Sequence, residues 1–489
     1  MKTLWRRYFH GAARFHMIAT PMRPSFATPL SVLSLSLLAT LAGCSDDTGT
    51  PPVTADSGTD VVTDTSSPDA STDVAMDTPA DNTPADVPVD TPPKGQCGFI
   101  SPELRAHVTE MSTMGWAARN RASSMMMYGC TGAASARDCL ASRPLVSDAD
   151  IGANRSAISN AHLRLLYTDT TRSNFWTRSS ADGRFVGRGI HLRDLSRDAN
   201  ITPTGAMYDP TFFPDNSGFM YQPNGRMCPM STLTTGEPTA IALSSACAGS
   251  SVGLYQHTGA ALEGTDYWAT SAGTAAWDDG GHSATLTETR RNETWGANAT
   301  TSISLMANSG AGFTYVGSRN VTLPYQGDAM LSPSTRLIIS RFVDEDGAYQ
   351  GYVLNRLEAT HTGAAIMVSA HEIARYCLQG AKAAISYDER WAVYHHYLGG
   401  GSHADEDAQA LGFADSSDPG FAEYSTRGAS NIYLLDLLTG RSVRVTNMGP
   451  GQYALYPHFR SDGWIYFIVR TLGTMNESVI ASDAALVQP

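Results

Sequence analysis

The chain has 489 residues, with 47 acidic side chains against 34 basic ones and a formal net charge of −13. That length exceeds what one ordinary core holds, and the acidic balance argues against nucleic acid as a partner, which calls for a basic face. Of the seven cysteines, six lie beyond residue 44, an even number that suits pairing in an exported chain.

Residues 1–43 read as a secretory signal. Arg6, Arg7, Arg14 and Arg23 precede an apolar run from Leu30 to Leu41, and no acidic residue occurs before Cys44. The run is too short for a permanent membrane helix. Its ending, Leu41-Ala42-Gly43-Cys44, looks like a bacterial lipobox, which implies cleavage before Cys44 and lipidation of that cysteine. In the lipoprotein family an aspartate after the cysteine favours inner-membrane retention. Ser45 stands there, so the resemblance implies the outer membrane.

Residues 44–94 form the lipidated cysteine and a tether of mostly Asp, Thr, Pro, Ala and Val, with eleven aspartates facing Lys94. Such a segment buries too little apolar area to offset its ordering entropy. As a flexible coil it would span about 40 Å. The signal carries +5 and the tether −10, so the remaining chain carries −8 of the total.

Residues 95–161 are expected to form a small helical cap. Ser101-Pro102-Glu103 is a helix start, and Leu104, Val108, Met111 and Ala118 share one helical face. Shorter helical pieces are expected at Ala134–Ala141 and Ser147–Ala161, and Met125-Met126-Met127 reads as core filler. The six cysteines Cys97, Cys130, Cys139, Cys228, Cys247 and Cys377 allow fifteen pairings. Proximity favours Cys130–Cys139 and Cys228–Cys247, leaving Cys97–Cys377 to pin the N-terminal segment. No C-x-x-C supports a zinc site.

From residue 162 to 489 short strands dominate. His162 to Tyr167 is a candidate strand for pairing with the last sheet, which would remove exposed edges. The clearest unit is residues 431–470: a strand ending at Asp436, a Thr439-Gly440 turn, an alternating strand, then Pro457-His458-Phe459 and Ser461-Asp462-Gly463 before an apolar strand. That is the size of one propeller blade. Weaker copies stand at Tyr208–Tyr221, Arg178–Val186, Leu331–Ile339 and Ile385–Tyr394, with a faint one at Ser250–Tyr255.

This order resembles the TolB-type propeller repeat, in which an Asp-ended strand, a turn and a strand precede Pro-x-aromatic-Ser-Pro-Asp-Gly. Pro457 to Gly463 and Pro210 to Asn216 match it best, and the resemblance covers roughly residues 165–470. It implies an all-β, six- or seven-bladed β-propeller behind the small N-terminal helical segment. Either a seventh blade lies near 285–320 or long loops interrupt a six-bladed ring. An irregular β-sandwich would show similar strands. TolB carries an α/β domain before its propeller, which residues 95–161 do not match, so TolB's own role does not transfer.

Catalytic motifs are sparse. Gly249-Ser250-Ser251-Val252-Gly253 fits G-x-S-x-G but lacks the helix that a nucleophile elbow needs after it. His371-Glu372 begins H-E-x-x-H, but Arg375 replaces the second histidine. The remaining constellation is His395-His396 at a strand end, then Gly399-Gly400-Gly401, His403 and Asp405. Imidazole with carboxylate suits a divalent transition metal, and TolB-like propellers include pectate-fragment lyases with a histidine-bound metal. The reading is therefore a non-enzymatic, cofactor-free envelope scaffold, anchored to the membrane and recognising a protein or glycan. Its rival is a metal-dependent polysaccharide lyase or hydrolase. Trp268 and Trp277 could serve a carbohydrate-facing loop, although such rings more often pack between blades.

Overall fold

The structure, a computed structural model, describes residues 92–113, 126–147, 151, 156–173, 177–206, 210–221, 226–247, 256–261, 266–272, 297–308, 313–343, 350–399 and 403–487. All described residues belong to one compact unit. Cys44 and the tether up to residue 91 lie outside the described residues, as do Gly249–Gly253, Ser250–Tyr255 and Trp277.

The N-terminal segment begins with α1, Pro102–Ser112. Ser101 Oγ accepts from the Leu104 amide at 3.2 Å, and Leu104, Val108 and Met111 are buried, as the sequence pattern requires. Ala118 lies outside the described residues. Of the two further helical pieces, Ser147–Ala161 shows one helical bond, the Ile151 amide donating to the Ser147 carbonyl at 3.1 Å, with residues 148–150 and 152–155 outside the described residues. The other, Ala134–Ala141, is reduced to a 3-10 turn at residues 136–138, beside the Cys130–Cys139 bond, whose Cα atoms lie 4.0 Å apart. Beyond Ile151, Ser156 bridges to Thr446, and the Ala157 amide donates to the Val445 carbonyl at 2.9 Å.

The rest is all-β. After β1 (Leu163–Asp169) come β2 (Thr177–Ser179), β3 (Phe185–Arg188), β4 (His191–Asp194) and β5 (Ala199–Thr204), a meander completed by parallel β9 (Ala240–Ala242). Three strands make the second sheet: β6 (Pro210–Phe212), β7 (Gly218–Tyr221) and β8 (Arg226–Pro229). The third holds β10 (Gln256–Ala261), β11 (Asp266–Ala272), β12 (Thr300–Asn308) and β13 (Phe313–Thr322). Residues 300–322 thus complete the sheet begun at Gln256 and are not a separate one. The fourth holds β14 (Gln326–Leu331), β15 (Leu337–Val343), β16 (Gln350–Thr362) and β17 (Ala365–Tyr376).

An eight-stranded sheet finishes the chain: β18 (Ala381–Ile385), β19 (Trp391–Leu398), β20 (Ala429–Asp436), β21 (Ser442–Arg444), β22 (Gln452–Phe459), β23 (Ile465–Thr471), β24 (Glu477–Ser482) and the returning β1. One parallel pair, Ser430 with Tyr453, joins its two halves. β1 runs antiparallel to β24 from Leu163 opposite Ser482 to Asp169 opposite Glu477.

The first strands of these meanders touch in sequence. β2 meets β6, β6 meets β10, β10 meets β14, β14 meets β18, β18 meets β22, and β22 meets β2. The succession returns to its start, which makes this an all-β propeller with an N-terminal strand closing its last sheet. Closure is reinforced by charge: fully buried Arg188 on β3 binds both Asp169 of β1 and Glu477 of β24.

One turn recurs between the first and second strands of five meanders. The amides of Gly183, Asn216, Thr335, Glu389 and Gly463 donate to the carbonyls of Ser180, Phe213, Ser332, Ser386 and Arg460. Those five donor residues all have positive φ. A side-chain oxygen just before each of them, on Asp182, Asp215, Ser334, Asp388 or Asp462, accepts from the amide two positions on.

Candidate functional site

Because β2, β6, β10, β14, β18 and β22 ring the axis, the side of the ring where they begin is the natural binding face. The loops between second and third strands open on that same side, since neighbouring strands are antiparallel. One of them, between β19 and β20, carries two helices, α2 (Ala404–Leu411) and α3 (Ala422–Arg427).

Three inner strands share a device there. Asp328 on β14, Lys382 on β18 and Tyr456 on β22 each stand four residues before the recurrent turn, at Ser332, Ser386 and Arg460 respectively. Each has positive φ, and each sits within a register shift of its strand. A bulge with left-handed backbone re-aims a side chain out of the pleat, as commonly happens beside functional sites.

These residues converge. Lys382 Nζ donates to Asp328 Oδ1 at 2.5 Å, and Arg341 of β15 donates to Asp328 Oδ2 at 3.1 Å. The Tyr456 amide donates to His395 Nδ1 at 3.4 Å, and the two rings meet edge to face at 5.3 Å. Tyr397, 40% exposed, lies 5.2 Å from His395 and 6.4 Å from Tyr453. Arg470 sits over the Tyr456 ring at 5.6 Å. The mouth thus combines an ion triad with an aromatic shelf, chemistry suited to holding a polar partner by hydrogen bonds and stacking.

Burial keeps His395 neutral. Desolvation lowers its pKa well below the ordinary histidine value, and the Lys382 and Arg341 charges add to the effect. Deeper along the axis, burial and the Arg178 charge push His458 down to about 3. Its Nε2 pairs with Ser179 Oγ at 3.1 Å. Arg178 of β2 reaches Met330 of β14 at 3.6 Å, linking the first and fourth sheets.

The four metal candidates are not brought together. His395 and His396 face opposite ways, as adjacent strand residues must. His396 Nε2 pairs with Asp407 Oδ1 at 2.7 Å, His403 Nδ1 with Glu406 at 2.9 Å, and Asp405 accepts from the Ser416 amide at 2.9 Å. Among the described residues none of the four belongs to a group of three ligands. The His396–Asp407 bond instead seats α2 on the sheet, aided by Arg444 donating to the Ala410 carbonyl at 2.7 Å. Trp268 is fully buried, so it packs rather than faces a carbohydrate. Met126 is 72% exposed and is not core filler; Met127 accepts from Ser461.

Three disulfides form: Cys130–Cys139 and Cys228–Cys247, which proximity favoured, and the remaining pair Cys97–Cys377. The mouth residues Asp328, Arg341, Lys382 and Tyr456 are invisible as a motif in sequence. Aligning the repeats on their turns would have exposed three of them, because their offset from the turn is constant.

A polar hollow of about 520 Å³ beside Arg137, Asn160 and His162 lies at the start of β1, away from the ring. Arg137 and His162 are already engaged there by Asp483 at 2.7 and 3.1 Å. It is therefore less suited to a ligand than the mouth.

No family model matches the sequence, and no curated protein matches it. Solved structures with a similar course include oligogalacturonate lyase from Vibrio parahaemolyticus, at 10% identity over 67% of this chain and 95% of that one, TM-score 0.37. The β-propeller domain of Myceliophteria thermophila Cps50 (Swd1) matches at 11% over 65% and 98%, TM-score 0.34. The β-propeller domain of the Pyrococcus furiosus Trilobed protease matches at 7% over 64% and 76%, TM-score 0.28. At these scores the propeller assignment rests on this chain's own strand order and inter-strand contacts.

Proposed function

We propose that this chain is an exported lipoprotein, acylated at Cys44 and held at the outer membrane by residues 44–94. Its six-bladed, TolB-like propeller would act as a non-enzymatic scaffold for a protein or glycan of the cell envelope. The observation that carries the binding reading is the mouth: Asp328, Lys382 and Tyr456, at one repeat position on three consecutive inner strands, all in left-handed backbone. The succession of six inner-strand contacts supports the blade number. Three disulfides suit an oxidising compartment. No observation favours the metal-dependent lyase or hydrolase, since its four candidate ligands are separately bonded.

The test is binding by the full chain, in detergent, to envelope glycans and to crosslinked envelope proteins. Wild type should retain a specific partner; Tyr397→Ala should lower affinity about tenfold or more with unchanged melting, as truncated hot-spot residues do, and Lys382→Ala should lower affinity as well while also lowering the melting temperature, because it strips buried Asp328 of one partner. Depolymerisation of a polysaccharide by the wild type would reject the scaffold. Anchoring is tested separately: Cys44→Ala should abolish incorporation of an alkyne-labelled palmitate.

A further inference from the structure

The segment from residue 126 to 147 lies over the turn of the last meander, and one side chain organises that contact. Arg460 occupies the position that serine holds at Ser180, Ser332 and Ser386, and it is fully buried. It donates through Nε to Asp462 Oδ1 at 2.6 Å and through one terminal nitrogen to the Tyr128 carbonyl at 2.8 Å. Its other terminal nitrogen donates to Asp462 Oδ2 and lies 3.5 Å from Cys130 Sγ. Asp462 Oδ2 stands 3.8 Å from the same sulfur. The sulfurs of Cys130 and Cys139, bonded to each other in the oxidised chain, and an Asp462 carboxylate oxygen lie within 4.8 Å of one another, the sole such group among the described residues.

We propose that the Cys130–Cys139 disulfide is a redox gate, and that its reduced form, with Asp462, is a three-ligand site for a thiophilic divalent cation of the zinc class. Two thiolates and one carboxylate are a suitable donor set, and Cys130 is partly exposed. These three anions around a divalent cation leave one excess negative charge. The Arg460 guanidinium beside them neutralises it, so the site closes without an uncompensated buried charge.

The gate needs a dithiol reductant. Its thiolate attacks Cys130 Sγ, the more exposed sulfur, and expels Cys139 as a thiolate. The reductant's second thiol then displaces Cys130, so two electrons reach the protein and the reductant departs as its own disulfide. The cation takes the place of the protons that the two thiols would otherwise hold. Cys228 and Cys247 are buried, and Cys97 is exposed. Neither of those pairs forms such a group with a carboxylate among the described residues.

The experiment titrates Cd²⁺, as a spectroscopic probe, into the full chain before and after phosphine reduction, following the ultraviolet sulfur-to-metal charge-transfer band. The expected result is one cation per chain in the reduced form and no band in the oxidised form. The band should survive in Cys97→Ser/Cys377→Ser and vanish in Cys130→Ser. In Asp462→Asn the affinity should fall about tenfold or more, at least the loss that accompanies an outer-shell change. Persistence of the band in Cys130→Ser overturns the proposal. So does unchanged affinity in Asp462→Asn, or loss of the near-ultraviolet circular dichroism on reduction, because the site requires both segments in place. The outcome is independent of whether the mouth binds a partner.

Discussion

At the scale of single residues, buried carboxylates do most of the fastening. Asp194 has no exposed side-chain surface and accepts from Arg184, Arg197 and the Ser196 amide. Burial alone would raise its pKa, but these bonds hold it well below the usual carboxylate range. Asp194→Ala should cost about 3 kcal/mol in denaturant unfolding, because two arginines lose their partner. Glu389 joins α1 to the sheets, bonding His107 Nε2 at 2.6 Å and the Ser334 amide at 2.7 Å. Desolvation opposes its charge, yet the His107 and Ser334 bonds leave its pKa lowered. A depressed folded value gives stability that is present above the unfolded carboxyl pKa and disappears as pH falls through the folded one. The melting-temperature gap between wild type and Glu389→Gln should therefore be widest near neutrality and shrink in acid. A gap that widened in acid would contradict this assignment.

At the scale of elements, the recurrent turn explains both what the sequence disclosed and what it hid. Asp182-Gly183 and Asp462-Gly463 announced their turns because glycine accepts positive φ without cost. Thr335 and Glu389 adopt the same backbone with a β-carbon present, so their copies looked weak. Thr335 also buries a hydroxyl without a hydrogen-bond partner. Thr335→Gly should consequently stabilise the fold by about 1 kcal/mol, the order of the left-handed penalty it removes, measured by the urea midpoint. α2 was missed although its signals were present: Asp405, Glu406 and Asp407 in the first turn and Gly412 in left-handed conformation at the end. His403 and Asp405 carry metal-donor and helix-start chemistry at once, so their residue types alone do not announce the helix. The helix expected at Ala134–Ala141 shrank to a 3-10 turn beside the short-range Cys130–Cys139 bond.

At the scale of the molecule, the ring is held by closure and by one long-range bond. The strand from His162 onward was legible because its apolar content matched the last sheet, and it indeed pairs with β24. The ion cluster of Arg188, Asp169, Glu477 and Arg470 behind that seam was not legible, because it assembles from three sequence regions. Breaking Cys97–Cys377 by a double serine substitution should cost about 2–4 kcal/mol, as removal of a long-range disulfide does, read from equilibrium unfolding. Metal content offers a check on the mouth and insertion. The oxidised full chain should show unchanged melting after chelator treatment. Stoichiometric metal lost in His396→Ala or His403→Ala would instead restore the lyase reading.

The position of Cys97 has a mechanical meaning. It stands a few residues beyond the aspartate-rich stretch, and its bond leads straight to Cys377, just past the end of β17. A pull arriving from the N-terminal side would enter the propeller through this covalent link and bypass residues 98–162 altogether. Helix α1 and the closing strand β1 would then carry no load. The seam that completes the ring would be shielded from tension, and the load would fall on the outer edge of the fourth sheet instead.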